Sequence, residues 1–322
     1  MSGVLGRVDR LQQRNGVLGF GYAVVRKYLD DGGGREAALI TYYGFLSIFP
    51  VLLLGVTVVS RVLVARPDLR HRLISAFVPS SLQSSVESAA AAMPTSAVPL
   101  TIGIIGLLFS GTGVVFSAYH TLNHVAAVPH RLRHGIVSWL LRVLVVLVVV
   151  LAGVVAVGAL TVAVTVVPGL SAVPQAAGVV GSWLIGYGVL LLAARVLLSR
   201  PAPVRALWPG AALGATALTL VLTVGAAVLP GLVRRAGAVY GSFAAVAGMF
   251  SLLYVLSLAL VFSAEVAAVR EGRLWPRALD RDHPTAADAR ALALMAREQE
   301  RDPADRIQVR DGADSDAPFD VI

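Results

Sequence analysis

Few side chains in this chain are equipped for chemistry, and most of those sit on otherwise apolar runs. Glu265 follows Ser257 and Ser263 on a long hydrophobic stretch. An ionisable group at membrane depth is costly and marks a functional hypothesis. Two roles compete for it. It is an interfacial carboxylate paired with an arginine such as Arg270 or Arg195, or a buried one that binds substrate or carries a proton. His120, Asn123 and His124 close another apolar run, and positions four apart share a helical face. Two histidines at that spacing can ligate a metal, yet no glutamate lies between them and no third ligand is evident nearby. With His130 and His134 they read as a rim at the membrane interface, suited to headgroups or to sensing pH. Tyr42, Tyr43, Ser47 and Pro50 fall within nine residues of one run. Proline removes the hydrogen bond to the carbonyl four residues back, here that of Leu46, and kinks a helix. A freed carbonyl beside Ser47 is a polar spot inside a bundle. The chain has no cysteine, so thiol catalysis and thiolate metal sites are excluded. No metal or other cofactor is called for.

The elements that carry these residues are membrane spans. Of the 322 residues, 57% are apolar and 14% charged, against roughly a quarter charged in soluble domains. Uncharged stretches such as Ala37 to Ser60, Val143 to Ala194 and Ala236 to Ala264 meet or exceed the roughly 20 residues a spanning helix needs. The expected fold is an all-α six-transmembrane-helix bundle, with helices near 37–64, 98–121, 136–167, 174–198, 204–229 and 240–269. Small residues at Gly210 and Gly214 suit close helix packing. Arg142, near the start of the third helix, can snorkel to the interface. Residues 65–97 place Leu69, Leu73, Ile74, Phe77 and Val78 at helical spacing, which predicts an extracytoplasmic amphipathic helical hairpin between the first and second helices. Residues 1–36 form a cytoplasmic amino-terminal arm, with an interfacial helix as its candidate form. Residues 37–270 are the transmembrane domain. Residues 271–322 are a cytoplasmic tail, largely disordered, in which Thr285 to Glu300 can make a soluble helix. Arginine and lysine counts near the helix ends favour both termini in the cytoplasm. The net charge of +8 is spread as arginines at helix ends, which points to lipid headgroups and not to nucleic acid as the partner.

The first helix, Ala-Ala-Leu-Ile-Thr-Tyr-Tyr-Gly-Phe-Leu-Ser-Ile-Phe-Pro (37–50), resembles the opening helix of the YihY/BrkB family. The end of the second helix at Asn123 is similar to that family, as is Tyr240-Gly241-Ser242-Phe243-Ala244 running on to Ala264-Glu265. Glycine commonly precedes that glutamate in the family, and Ala264 stands there in this chain. The resemblance covers about residues 10–275. It implies six helices, a plasma (inner) membrane location and a link to export of lipid-linked envelope precursors. Members have also carried a ribonuclease BN label. Phosphodiester hydrolysis needs metal-binding carboxylates and histidines or an acid–base pair, and no such cluster is evident, so the chain is not expected to be an enzyme. The expected function is a transporter or lipid-handling permease for an amphipathic, envelope-related substrate, with rim arginines holding an anionic headgroup. A non-transporting membrane scaffold is the alternative. The substrate-binding candidates are Tyr43, Ser47, Asn123, Tyr240, Ser242 and Glu265, with Pro50 as the kink. A continuous polar cavity lined by Tyr43, Ser47, Asn123 and Glu265 would favour the permease.

Overall fold

A computed structural model of the chain describes residues 2–65, 97–133, 135–166, 172–241, 243–280, 283–302, 304 and 306–307. Among them every regular element is helical: α1 (Ser2–Arg14), α2 (Gly16–Asp30), α3 (Gly33–Ala65), α4 (Ala97–Val125), α5 (Ile136–Val166), α6 (Ala172–Leu197), α7 (Val204–Tyr240), α8 (Phe243–Gly272) and α9 (Ala286–Glu298), with one 3-10 turn at His130–Leu132. Six of these, α3 to α8, are long and apolar enough to cross a membrane. Their outward faces agree with that reading: Phe109 is 83% exposed and Val137 84%, exposures that lipid tails satisfy and water does not. Neighbours pack in sequence as α3–α4, α4–α5, α5–α6, α6–α7 and α7–α8, and α8 returns to α3, so the six helices close into a ring. The amphipathic hairpin expected over 65–97 falls almost wholly on 66–96, outside the described residues.

Two departures from expectation concern helix limits. The fifth span does not stop before Pro230 but runs on as α7 to Tyr240, carrying Arg234 and Arg235 within the helix. In an apolar surround, one missing N–H at Pro230 costs less than exposing a whole broken turn. At 37 residues, α7 measures about 55 Å at 1.5 Å per residue and so protrudes beyond the hydrocarbon. The sixth span starts later than expected. Tyr240 ends α7, Gly241 turns the chain with φ +56 in the left-handed region, and α8 begins at Phe243. Glycine meets that backbone demand at no steric cost.

Glycine also permits close helix approach. A Cβ on Gly210 of α7 would meet the Ala267 Cβ at 2.9 Å and the Ser263 carbonyl oxygen at 3.0 Å on α8. The pyrrolidine of Pro50 leans on Gly106 of α4, where a Cβ would come within 3.1 Å of its Cγ, and α3 continues through Pro50 to Ala65. The Arg142 Nη1 donates at 2.7 Å to the Val196 carbonyl, one of the carbonyls that the end of α6 leaves without an intrahelical donor.

Both chain ends fold onto the same end of the ring, called the terminal end below. Asn15 caps α2 by accepting from the Val17 and Leu18 N–H groups. Ala23 and Val24 of α2 pack with Val269, Leu274 and Ala291. Gln12 donates to the Arg277 carbonyl at 2.6 Å. Thr285 and Asp288 form a reciprocal capping box at the start of α9, which satisfies two orphan donors at once. Residues 283–302 therefore pack against the bundle end.

Candidate functional site

The terminal end holds a chain of buried charges contributed by α2, α4 and α8. Lys27 on α2 and Asp31, the C-cap residue that follows it, lie four apart and form an ion pair. The Lys27 Nζ also donates to the Val125 carbonyl at 2.9 Å. It lies 3.1 Å from Glu265 Oε2, without the alignment of a hydrogen bond, so both Glu265 carboxylate oxygens have no hydrogen-bond partner among the described residues. Glu265 is 0% exposed. Its partner is thus a lysine of the amino-terminal arm, not Arg270 or Arg195. Arg270 follows five positions later, about 140° round the helix, and stacks on Trp208 at 5.5 Å. Tyr28, on the same arm, has its phenol pushed above its ordinary value by burial, then by Tyr254 and Glu265.

A second chain of contacts joins α4 and the loop after it to α9. The His124 Nδ1 lies 2.8 Å from Glu298 Oε1, and its Nε2 lies 3.1 Å from the Asp31 carbonyl. Arg133 Nη2 donates to Glu298 Oε1 at 2.7 Å. Arg131 Nε donates to Glu300 Oε2 at 2.8 Å. His130 Nδ1 is 2.6 Å from the Glu298 carbonyl. Farther along, Arg277 bridges Asp30 and Asp288, each at 2.9 Å. Burial would raise the Asp288 carboxyl, but the Ala278 and Thr285 N–H groups and Arg277 outweigh it and hold it below its ordinary value.

Beneath these charges a cavity of about 400 Å³ runs into the ring. Its walls are aliphatic, among them Val115, Val146, Leu190 and Val261, with Gly210 and Gly214 opening space on α7. Its polar lining at the terminal end includes Lys27, Asp31, His124 and Glu298, with Arg200 and Glu271. Leu294 and Met295 of α9 line it too. The shape is that of a site with an apolar body and a charged cap, which suits an amphipath.

Of the residues singled out from sequence, His124 lines the cavity and Glu265 faces Lys27 at its cap, while Tyr43, Ser47, Asn123 and Tyr240 do not line it. Tyr43 packs over Gly113, where a Cβ would meet its ring at 2.3 Å. The Ser47 hydroxyl donates to the Tyr43 carbonyl at 2.9 Å. Asn123 is fully buried and donates to the Tyr119 and Leu197 carbonyls at 2.8 and 3.0 Å, while accepting from the Ser199 N–H at 2.8 Å. It ties α4 to the end of α6. Tyr240 is 65% exposed, beside an apolar crevice between α7 and α8. Ser242 lies outside the described residues. Tyr43, Ser47, Asn123 and Glu265 are not brought together on one cavity wall, although Glu265 touches the lining through Lys27.

The family profile described as Virulence factor BrkB matches residues 24–288. The chain belongs to the BrkB family. No curated protein and no solved structure matches it. The matched stretch takes in the second half of α2, all six spans and the start of α9, so Lys27, Asp31, His124, Arg133 and Glu265 lie inside the BrkB region, while Glu298 and Glu300 lie beyond it. Sequence reasoning passed over Lys27, Asp31 and Glu298 in this BrkB chain. The available signal was two opposite-charge pairs four apart, Arg26 with Asp30 and Lys27 with Asp31, after the apolar stretch 16–25, and two glutamates at the end of the Thr285–Glu300 helix.

Proposed function

We propose that this BrkB-family chain is a plasma-membrane transporter or lipid-handling permease for an amphipathic, envelope-related substrate, with both termini in the cytoplasm. It acts as a carrier and not as an enzyme, and its partners are membrane lipids, not nucleic acid. The observation that supports the reading is the cavity of about 400 Å³, aliphatic along its walls and charged at the terminal end. That volume falls within the roughly 300–1,000 Å³ of small-molecule sites. An acyl chain gains by leaving water for such walls, and a headgroup finds Lys27, His124 and Arg200 at the cap. The test is reconstitution into vesicles containing a fluorescent phospholipid. Transbilayer movement faster than in protein-free vesicles, with lipid retained through purification, is expected. The absence of both transbilayer movement and retained lipid would overturn the proposal.

A membrane scaffold is the second reading, and one observation favours it. The hydroxyl of Ser47 and the amide of Asn123 are satisfied within the bundle, as in a protein that need not open. On that reading the reconstituted chain moves no lipid.

A further inference from the structure

We propose that His124, Arg131 and Arg133 form a binding site for an anionic, phosphate-type headgroup on the amphipath that the cavity takes, and that Glu298 and Glu300 occupy this site as a built-in competitor. The inference rests on the cavity reading above and names its headgroup class. The cradle comes from the end of α4 and the loop after it. Each of its three side chains meets a carboxylate: His124 reaches Glu298 at 2.8 Å, Arg133 reaches Glu298 at 2.7 Å and Arg131 reaches Glu300 at 2.8 Å. The two ring nitrogens of His124 both face acceptors, the Glu298 carboxylate and the Asp31 carbonyl. Only the doubly protonated ring donates to both. The cradle therefore presents His124 and Arg133 to the buried Glu298 carboxylate, whose side chain is 5% exposed, and Arg131 to the Glu300 carboxylate, 4% exposed. Guanidinium pairs with phosphate and carboxylate oxygens in the same planar geometry, so the carboxylates stand in for headgroup oxygens.

The stand-in comes from outside the membrane ring. Glu298 ends α9 and Glu300 follows it, both beyond the last span. Both Glu298 and His124 line the cavity, beside Leu294 and Met295. An oxyanion in place of the Glu298 carboxylate would have its chain directly over aliphatic wall. Tethered carboxylates act at an effective concentration of about millimolar or higher, so the intact chain masks the site.

The experiment uses the full chain in neutral-lipid nanodiscs, with dodecyl phosphate, dodecylammonium and inorganic phosphate as probes below micellar concentration. Freeing the cradle by E298Q/E300Q is expected to tighten dodecyl phosphate binding about tenfold or more, the size of effect that follows from removing a tethered competitor. Adding R133Q is expected to abolish the gain. E300Q alone, which loses one Arg131 bond and leaves Glu298 in place, is the milder variant should the double substitution unfold, and its gain is a few-fold. Equal affinity in the wild type and both variants, or a gain that survives R133Q, overturns the competitor. Inorganic phosphate binding as tightly as dodecyl phosphate overturns the amphipath. Saturable binding of dodecylammonium without dodecyl phosphate overturns the headgroup class while leaving the cavity reading standing. Binding of neither amphiphile to any variant removes the cavity reading itself.

Discussion

Lys27 brings one positive charge to a place where two carboxylates and a carbonyl converge, and the three do not bind it alike. Asp31 and the Val125 carbonyl accept its protons, whereas Glu265 faces it at 3.1 Å with neither oxygen in hydrogen-bond geometry. Removing one member of a buried pair is expensive because the survivor is left uncompensated. Lys27→Met strands both Asp31 and Glu265 and is expected to cost about 3–5 kcal/mol. Glu265→Gln removes one side of the 3.1 Å pair but leaves Lys27 with Asp31 and Val125, so no buried charge is stranded and its cost should stay within about 1 kcal/mol. Thermal unfolding of the purified chain in detergent separates the two. A Glu265→Gln loss as deep as that of Lys27→Met would mean that Glu265, not Asp31, is the lysine's main partner. Glu265 was visible in the sequence because a lone acid on an apolar run is conspicuous. Lys27 was not, because a lysine in a basic arm looks like a surface charge until α2 is seen packed against α8.

At the scale of the helices, hydropathy gave away the six spans and their order, since lipid-facing helices must be apolar along their whole length. It misplaced the boundary between α7 and α8, because Pro230-Gly231 reads as a break and Gly241 does not announce its positive φ. The Gly210–Gly214 pair was legible as a close-packing face, and α7 and α8 do meet there. Gly210→Val pushes two methyls against the Ala267 Cβ and the Ser263 carbonyl, and overpacking of this kind costs about 1–3 kcal/mol. Its unfolding temperature should fall while Gly231→Val, with nothing near its Cβ position, leaves it unchanged. A similar fall in both would mean that helix propensity and not contact sets the effect. The seating of α9 carries a pH dependence of known sign. The Asp288 carboxyl is held below its ordinary value, so it contributes stability that is fully present above the unfolded-state value and fades as pH falls through the folded one. The protection of the 286–298 amides against exchange, relative to their intrinsic rate at each pH, should therefore fall under acid. Asp288→Asn should show the faster exchange already at neutral pH, and unchanged protection in that variant would show that Arg277 and Asp288 do not hold the helix.

For the whole molecule, an even number of spans obliges the two ends of the chain to share a side, and the contacts make the same demand independently. Gln12 of α1 bonds the Arg277 carbonyl, and Asp9 accepts from the Leu279 N–H at 3.0 Å. Arg277 in turn holds Asp30 and Asp288. These links join the arm, the segment after α8 and α9 into one cap, which could not assemble if the termini lay across a bilayer from each other. The far end of α7, with Gly231, Arg234 and Arg235, belongs to the opposite side, since α7 starts beside the end of α6 at the cap. The chain's lack of cysteine allows a direct test with single cysteines and a membrane-impermeant maleimide. Gln13→Cys and Arg290→Cys should label from one side of sealed vesicles, and Gly231→Cys from the other. If labelling of Gln13→Cys and Arg290→Cys splits across the membrane, the six-span ring is wrong, because no odd number of crossings can bring α1 against Arg277.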